Sequence, residues 1–592
     1  MFRRSPLPDP QAASSTTGPP LTCSEEPTEA FMAPGAAHFS FRQWSRRLIR
    51  PSDTLCRRIG TDRCADIYPL PVASTPPELH THWDMGASSA PGAQPLDDAP
   101  PRHMTAAEFR EHGRAVVDWV ADYWERVESL PVLSTLPPGA VRAQLPSSPP
   151  ELGEPFPDLL DDMDRVIVPG LTHWQHPGFF AYFPTGASGP AALADLLASG
   201  LGVQGMLWQT SPACTELEQH VLDWLAGLIG LPERFTFAGT GGGVVQDSAS
   251  TAMLVTMLAA LHRASGGQVA RDGIDRGRYV VYTSTEANCG FEKTARITGI
   301  GASAVRFIQT RADLSMDPQA LRAAMEHDAR AGFTPVLVMA TVGTTSTGAI
   351  DPVELIGPVC REYGAWLHVD AAYAGVAAIC PELRWIHAGV AEFADSYATN
   401  PHKWLLTALD FDACYVADRG ALTGALSVLP EYLRNGASES GVVVDYRDWQ
   451  VPLGRRFRAL KLWAVIRWYG AAGLREHIRH SVALAQQFAS WVGADERFEV
   501  LAPHPLSLIC FRLRGDDSAN RELLDAVNAT GRVFLSHTKV RGAFALRLAI
   551  GGTATRREHV AAAWALLAEH ANIARHSLGR GHHTEAVSPE TG

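Results

Sequence analysis

The chain has 592 residues, 46% hydrophobic and 19% charged, which is enough apolar material for several cores and excludes a fibrous or wholly disordered protein. A formal net charge of −12 counts against nucleic acid or an anionic membrane as the main partner. Nine cysteines lie scattered, with no CxxC and no paired spacing, and read as reduced thiols of a cytoplasmic protein.

Residues 1–103 hold 16 of the 41 prolines, together with Ser/Thr and Gly/Ala/Ser tracts, and are expected to stay disordered. Met1-Phe2-Arg3-Arg4 runs into Ser-Pro-Leu-Pro and not into an apolar stretch, so no signal peptide is read there. A transit peptide is opposed by Asp9, Glu25, Glu26 and Glu29, and a start placed too far upstream explains the segment equally well. Met104 opens the first clear element. Thr105-Ala106-Ala107-Glu108 is a capping-box pattern, and Phe109, Val116, Trp119, Val120, Tyr123, Trp124 and Val127 follow at helical spacing. This predicts a helical N-terminal segment over 104–188. The most apolar stretch, Ala191 to Leu207, is broken by Asp195, Ser199 and Gln204, so no membrane span is expected.

From about 215 to 420, apolar runs alternate with helical stretches, giving strands at Tyr279–Thr283, Ala304–Gln309, Pro335–Gly343, Ala365–Asp370 and Ala413–Asp418. That alternation predicts an α/β domain with a mostly parallel sheet over 189–447. Beyond it, two helical segments precede strands at Phe498–Ala502, Leu508–Leu513, Val533–Thr538 and Phe544–Ile550. A second capping box, Thr555-Arg556-Arg557-Glu558, starts a last helix. This predicts a smaller α+β domain over 448–578 and a flexible tail over 579–592. There is no internal repeat.

The chemistry concentrates in two short motifs. His368-Val369-Asp370-Ala371-Ala372-Tyr373 ends a buried-strand pattern at Asp370, and Asn400-Pro401-His402-Lys403-Trp404 places a lysine 33 positions later. An amine that can form a Schiff base and a carboxylate that can keep a pyridine nitrogen protonated are the minimum equipment for pyridoxal phosphate. Gly241-Gly242-Gly243 precedes a helix expected at Thr251–Leu261, whose N-terminus would seat the cofactor's phosphate. Each signal alone is weak; read singly they are a surface lysine, a strand-end aspartate and a flexible loop.

Further motifs carry a resemblance. Thr172-His173-Trp174, Phe180-Ala181-Tyr182-Phe183-Pro184-Thr185, Ser211-Pro212-Ala213-Cys214-Thr215-Glu216-Leu217-Glu218, Asp445-Tyr446-Arg447-Asp448-Trp449-Gln450 and Gly454-Arg455-Arg456-Phe457-Arg458 join the two motifs above. From about Met104 to 575 the chain resembles the aromatic-L-amino-acid decarboxylases, a branch of the pyridoxal-phosphate group II decarboxylases. The resemblance implies the pyridoxal-phosphate fold type I architecture, like aspartate aminotransferase, and a homodimer. It implies that Lys403 carries the cofactor and Asp370 pairs with its ring nitrogen. Ser248, Ala249 and Asn400 would hold the phosphate, with Thr345, His368 and His402 also around the cofactor. Trp174, Tyr182, Phe183, Pro184 and Thr185 would line the pocket for an aromatic amino acid, completed by a second subunit. Tyr432, beside the polar stretch Asn435–Gly441, would be a general acid on a mobile lid that protonates the α-carbon.

Two positions depart from the family. Met206 stands where the animal enzymes have Phe. Asn288, in Glu286-Ala287-Asn288-Cys289-Gly290, replaces the histidine that stacks on the cofactor ring, and asparagine cannot ionise near neutral pH. Family members with asparagine here resemble aldehyde synthases, which release an aldehyde, ammonia and hydrogen peroxide. A neutral variation in a decarboxylase is the competing reading. An aminotransferase, or a cofactor-binding protein without catalysis, stands further off.

Overall fold

The computed structural model describes residues 103–581 apart from 275–277, 429–430 and 434. The expectations for 1–102 and for the tail from 582 onward lie outside the described residues. The first helix, Ala106–Arg126, starts at the expected capping box: the Glu108 amide donates to Thr105 Oγ1 at 3.2 Å and the Thr105 amide to Glu108 Oε2 at 2.8 Å. None of its residues is buried, and Phe109, Val117 and Trp124 are exposed.

The main sheet contains β1 (Gly242–Gln246), β2 (Tyr279–Ser284), β3 (Val305–Ile308), β4 (Thr334–Thr341), β5 (Trp366–Asp370), β6 (Ser396–Thr399) and β7 (Asp412–Val416), in the order β1-β7-β6-β5-β4-β2-β3. Only β7 runs against its neighbours. Every residue of β2 and β5 is buried, as expected for parallel strands covered on both faces. On one face pack Val244, Leu337, Trp366, Ala398 and Cys414 against the helix Ala249–Ser265.

A second sheet holds β8 (Phe498–Val500), β9 (Leu508–Leu513), β10 (Ser536–Val540) and β11 (Ala543–Ala549), all antiparallel, in the order β10-β11-β9-β8. Its core takes side chains from the helices Asp517–Ala529 and Arg557–Gly581 and from the long helical stretch Ala459–Ala494. That stretch is two helices meeting at Gly470, whose φ of 63° only glycine adopts readily.

Several expectations need correction. Gly242 and Gly243 open strand β1 and do not form a phosphate loop. A Cβ on Gly243 would meet the Tyr415 ring at 2.9 Å, so glycine there serves strand packing. The helix that follows starts at Ala249. Neither β1 nor β6 was anticipated. Pairing in β10 begins at Ser536 and not at Val533, because Phe534 bonds to the N-terminal segment: its amide donates to Gly178 O at 3.0 Å, and the Phe180 amide donates to Phe534 O at 2.9 Å. The second capping box does not form. Thr555 donates its hydroxyl to Pro177 O at 3.1 Å, and the Arg556 amide goes to His559 Nδ1 at 2.9 Å. No described helix is long and apolar enough to cross a membrane.

Candidate active site

Strand direction explains why the chemistry gathers at one edge. The parallel strands β1, β4, β5 and β6 end there, and β7, being reversed, begins there. Thr341 pairs with Asp370, Asp370 with Ala398, Thr399 with Ala413, and Gln246 with Asp412. A cavity of about 250 Å³ opens over this edge.

Lys403 and Asp370 both line it. Lys403 lies on the single turn Pro401–Trp404, and its ammonium sits 5.6 Å from the centre of the Phe183 ring, a cation–π contact. Burial pushes the lysine's pKa down; the Asp370 carboxylate, and then Asp412, act against that. Burial pushes Asp370 up, opposed first by Lys403 and then by the Ala372 amide, which donates to Oδ1 at 3.0 Å. Desolvation thus drives both members of the pair toward neutrality, so a cation arriving beside Asp370 would be strongly held.

Ser248 caps the helix Ala249–Ser265, accepting from the Thr251 amide at 3.4 Å, and both Ser248 and Ala249 line the cavity. Asn400 and His402 line it too. The Phe411 amide donates to His402 Nδ1 at 3.0 Å, and burial lowers the imidazole pKa to about 4, so the neutral ring carries its proton on Nε2. That Nε2 lies 3.1 Å from the Asn400 amide, which satisfies it only through the amide oxygen; the NH2 group then faces away from the histidine. Asn288 donates to Thr345 Oγ1 at 3.1 Å and accepts from the Gly290 amide at 2.8 Å, and both Asn288 and Thr345 line the cavity.

The remaining expected residues sit elsewhere. His368 is buried beneath Asp370 in β5, 2.8 Å from Ser396 Oγ, with its pKa pushed by burial to about 3. Of the aromatic group only Phe183 lines the cavity. Trp174 and Tyr182 stack on each other at 5.8 Å with Tyr182 half exposed, Pro184 is buried against Gly551, and the Thr185 carbonyl accepts from Gln175. Tyr432 is 77% exposed in the turn Glu431–Leu433 and lies outside the cavity. Residues the motifs did not single out also enter. Thr341, Gly343 and Tyr373 line the cavity, and Arg547 braces it from β11, donating to Thr345 O at 2.7 Å and Ser346 O at 2.8 Å.

The donor set fits pyridoxal phosphate. It offers an amine, a desolvated carboxylate and a helix N-terminus. Thr341 Oγ1 is buried with no protein partner, as expected where a polar ligand completes the site. No group of three or more metal-ligating side chains occurs among the described residues.

A seven-stranded, mostly parallel sheet with one reversed strand, carrying this site on its edge, defines a pyridoxal-phosphate enzyme of fold type I. Comparison with known proteins narrows the class. Residues 138–514 match the pyridoxal-dependent decarboxylase conserved domain. The chain is 46% identical over 478 residues to tryptophan decarboxylase TDC1 of Camptotheca acuminata, covering 79% of this chain and 94% of that protein. It is 44% identical over 482 residues to a phenylacetaldehyde synthase of Arabidopsis thaliana, covering 80% and 98%. The crystal structure of Oryza sativa TDC with pyridoxal phosphate and tryptamine superposes with a TM-score of 0.78 at 44% identity, covering 80% of this chain and 99% of that one. The chain belongs to the pyridoxal-dependent decarboxylase family and is a pyridoxal-phosphate-dependent carboxy-lyase.

Proposed function

We propose that this enzyme decarboxylates aromatic L-amino acids, releasing carbon dioxide and the aromatic amine. The observation that carries the reading is the joint placement of Lys403, Asp370 and the helix N-terminus around one cavity. The aromatic substrate class rests on the relatives, named for tryptophan decarboxylase and phenylacetaldehyde synthase.

When bound, pyridoxal phosphate supplies an electron sink for the bond that breaks between the α-carbon and its carboxylate. Lys403 is the amine that would hold the cofactor. Asp370, ionised in a dry site, holds the proton on the ring nitrogen. Ser248, Ala249 and Asn400 would hold the phosphate, with His402 beside the cofactor. Thr345 and Asn288 would contact the cofactor from the cavity wall, and His368 supports Asp370 from below. Phe183 forms one wall, and Trp174, Tyr182, Pro184 and Thr185 take the substrate's ring together with a second subunit. Tyr432 returns a proton to the α-carbon. The uncovered apolar residues of the helix Ala106–Arg126 suit a homodimer in which each arm is buried by the other subunit. Six described cysteines are free thiols, which suits the reducing cytoplasm.

Asn288 favours a second reading. It lines the cavity, it is uncharged, and one relative is a phenylacetaldehyde synthase. In that chemistry the amino acid, dioxygen and water give the aldehyde, carbon dioxide, ammonia and hydrogen peroxide. Measuring carbon dioxide and peroxide together from a panel of aromatic L-amino acids in air separates the two. Amine without peroxide supports the decarboxylase; peroxide equal to carbon dioxide makes the enzyme an aldehyde synthase. A keto-acid product, or no carbon dioxide from any member of the panel, would refute both.

A further inference from the structure

Asp412 is a buried acid for which the proposed reaction has no role. It opens β7 at the edge where the cavity lies, is fully enclosed, and neither of its oxygens has a hydrogen-bond partner. An ionised carboxylate with no donor and no solvent is about the least favourable polar group a protein can hold.

The register shows what Asp412 stands beside. Thr399 pairs with Ala413 across β6 and β7, so the next positions outward are Asn400 and Asp412. Side chains alternate along a strand, which puts both on the face of Ala398 and Cys414, under the helix Ala249–Ser265. As placed, Asn400 Nδ2 faces His402 Nε2 and Oδ1 is buried without a partner, but the proton on Nε2 requires the reverse, with the oxygen toward the histidine and the NH2 outward. An orphaned NH2 and an orphaned carboxyl therefore occupy adjacent positions on one face, and each supplies what the other lacks.

The charges facing Asp412 decide its protonation. From β5 comes Asp370, from the turn after β1 Asp247, from the Pro401–Trp404 turn Lys403, and on its own strand Cys414 and Tyr415. The helix Ala249–Ser265 has no acidic side chain in its first turn and contributes its dipole, a smaller effect than desolvation. Burial comes first in raising the Asp412 pKa, then Asp370, with Lys403 opposing. The one cation is the amine that the cofactor consumes.

We propose that Asp412 is a positioning residue of the cofactor site, a neutral carboxylic acid in the holoenzyme that accepts from the Asn400 NH2 and so fixes this amide at the phosphate end of the cavity. Its ionisation adds a buried negative charge next to Asp247, beside a dianionic phosphate. Cofactor retention is therefore linked to a proton on Asp412. Rising pH takes that proton away, so cofactor loss speeds by up to about tenfold per pH unit as pH climbs toward the pKa of Asp412 in the holoenzyme, and levels off above it.

The test is the rate at which the holoenzyme loses pyridoxal phosphate after dilution, followed by the cofactor's absorbance from mildly acidic to alkaline pH, in the wild type and in Asp412→Asn. The cofactor's own ionisations act in both proteins and cancel in the comparison. Release that accelerates with pH in the wild type and stays flat in the variant is expected. Parallel profiles, or a wild-type rate that does not change with pH, would overturn the proposal. If the variant fails to fold, the infrared difference spectrum of wild-type holoenzyme between low and high pH decides. It should contain the carbonyl stretch of a protonated buried carboxylic acid that disappears on ionisation, and its absence would overturn the proposal as well.

Discussion

The charge on Asp370 can be removed almost without touching its shape. In Asp370→Asn the amide oxygen still accepts from the Ala372 amide, which lies 3.0 Å away, and the side-chain volume is unchanged. What disappears is the anion opposite Lys403 and, in the loaded enzyme, opposite the ring nitrogen. Breaking a buried charge pair by deleting one member costs about 3–5 kcal/mol. At about 1.4 kcal/mol per tenfold, that is a loss of roughly 10²- to 10⁴-fold in kcat. The assay is single-turnover carbon dioxide release with saturating pyridoxal phosphate, with cofactor occupancy measured on the same sample. Thermal stability should fall, because Lys403 loses its buried partner. A fully loaded variant that loses less than tenfold in rate would refute the assignment of Asp370 to the ring nitrogen.

Lys403→Ala should abolish the borohydride-stable attachment of cofactor to protein while leaving the fold intact; a labelled peptide from another lysine would contradict its role. Asn288→His can keep the bond from the Gly290 amide through Nδ1, as His176 Nδ1 accepts from the Gly178 amide, so stability should change by less than about 1 kcal/mol. If Asn288 steers the product, this variant should also shift the peroxide-to-amine ratio at least tenfold toward amine, and an unchanged ratio would show the position to be silent. Burial holds His368 at about 3 and His387, His402 and His477 at about 4, below the ordinary 6.5. Because the folded state resists protonation there, stability is fully present above pH 6.5 and falls as pH drops toward 4, by up to about 1.4 kcal/mol per pH unit for each imidazole. Buried acids with raised pKa, such as Asp351 at about 7, act in the opposite sense, so the histidine effect is read as the melting-temperature difference between wild type and His477→Gln, which should change as pH drops from 6.5 to 4; a constant difference would refute the lowered pKa of that ring.

Much of this site was legible in the chain because its residues occupy strand ends and turns with distinctive neighbours. Asp370 closes an unbroken apolar run, and Lys403 follows a proline turn, so both announce their position locally. β1 and β6 escaped because Gly242-Gly243 and Ser396-Tyr397-Ala398-Thr399 lack β-branched runs; β1 takes its strand state from pairing with β7 at the sheet's edge, and β6 from lying between β7 and β5. Arg547 reads as a solvent-facing residue in an alternating strand, yet it is buried and bonded to the carbonyls of Thr345 and Ser346, about 200 residues away in sequence. Asp412 reads as an ordinary turn aspartate. Only the convergence of three strands and a helix makes it an enclosed acid, and nothing local encodes that.

The reversal of β7 also governs how firmly the lysine is held. Parallel strands hand the chain from one edge of a sheet to the other through a long excursion, but Thr399 and Asp412 lie at the same edge, joined by a short connection. Lys403 is thus slung on a bridge with both abutments set in the sheet, tied midway by the Gly186 amide to His402 O at 2.9 Å. Residues added or removed in this span have no slack to absorb them. Lengthening it by even one should displace the amine relative to Asp370, whereas the crossovers at the sheet's far edge should accept such changes far more readily.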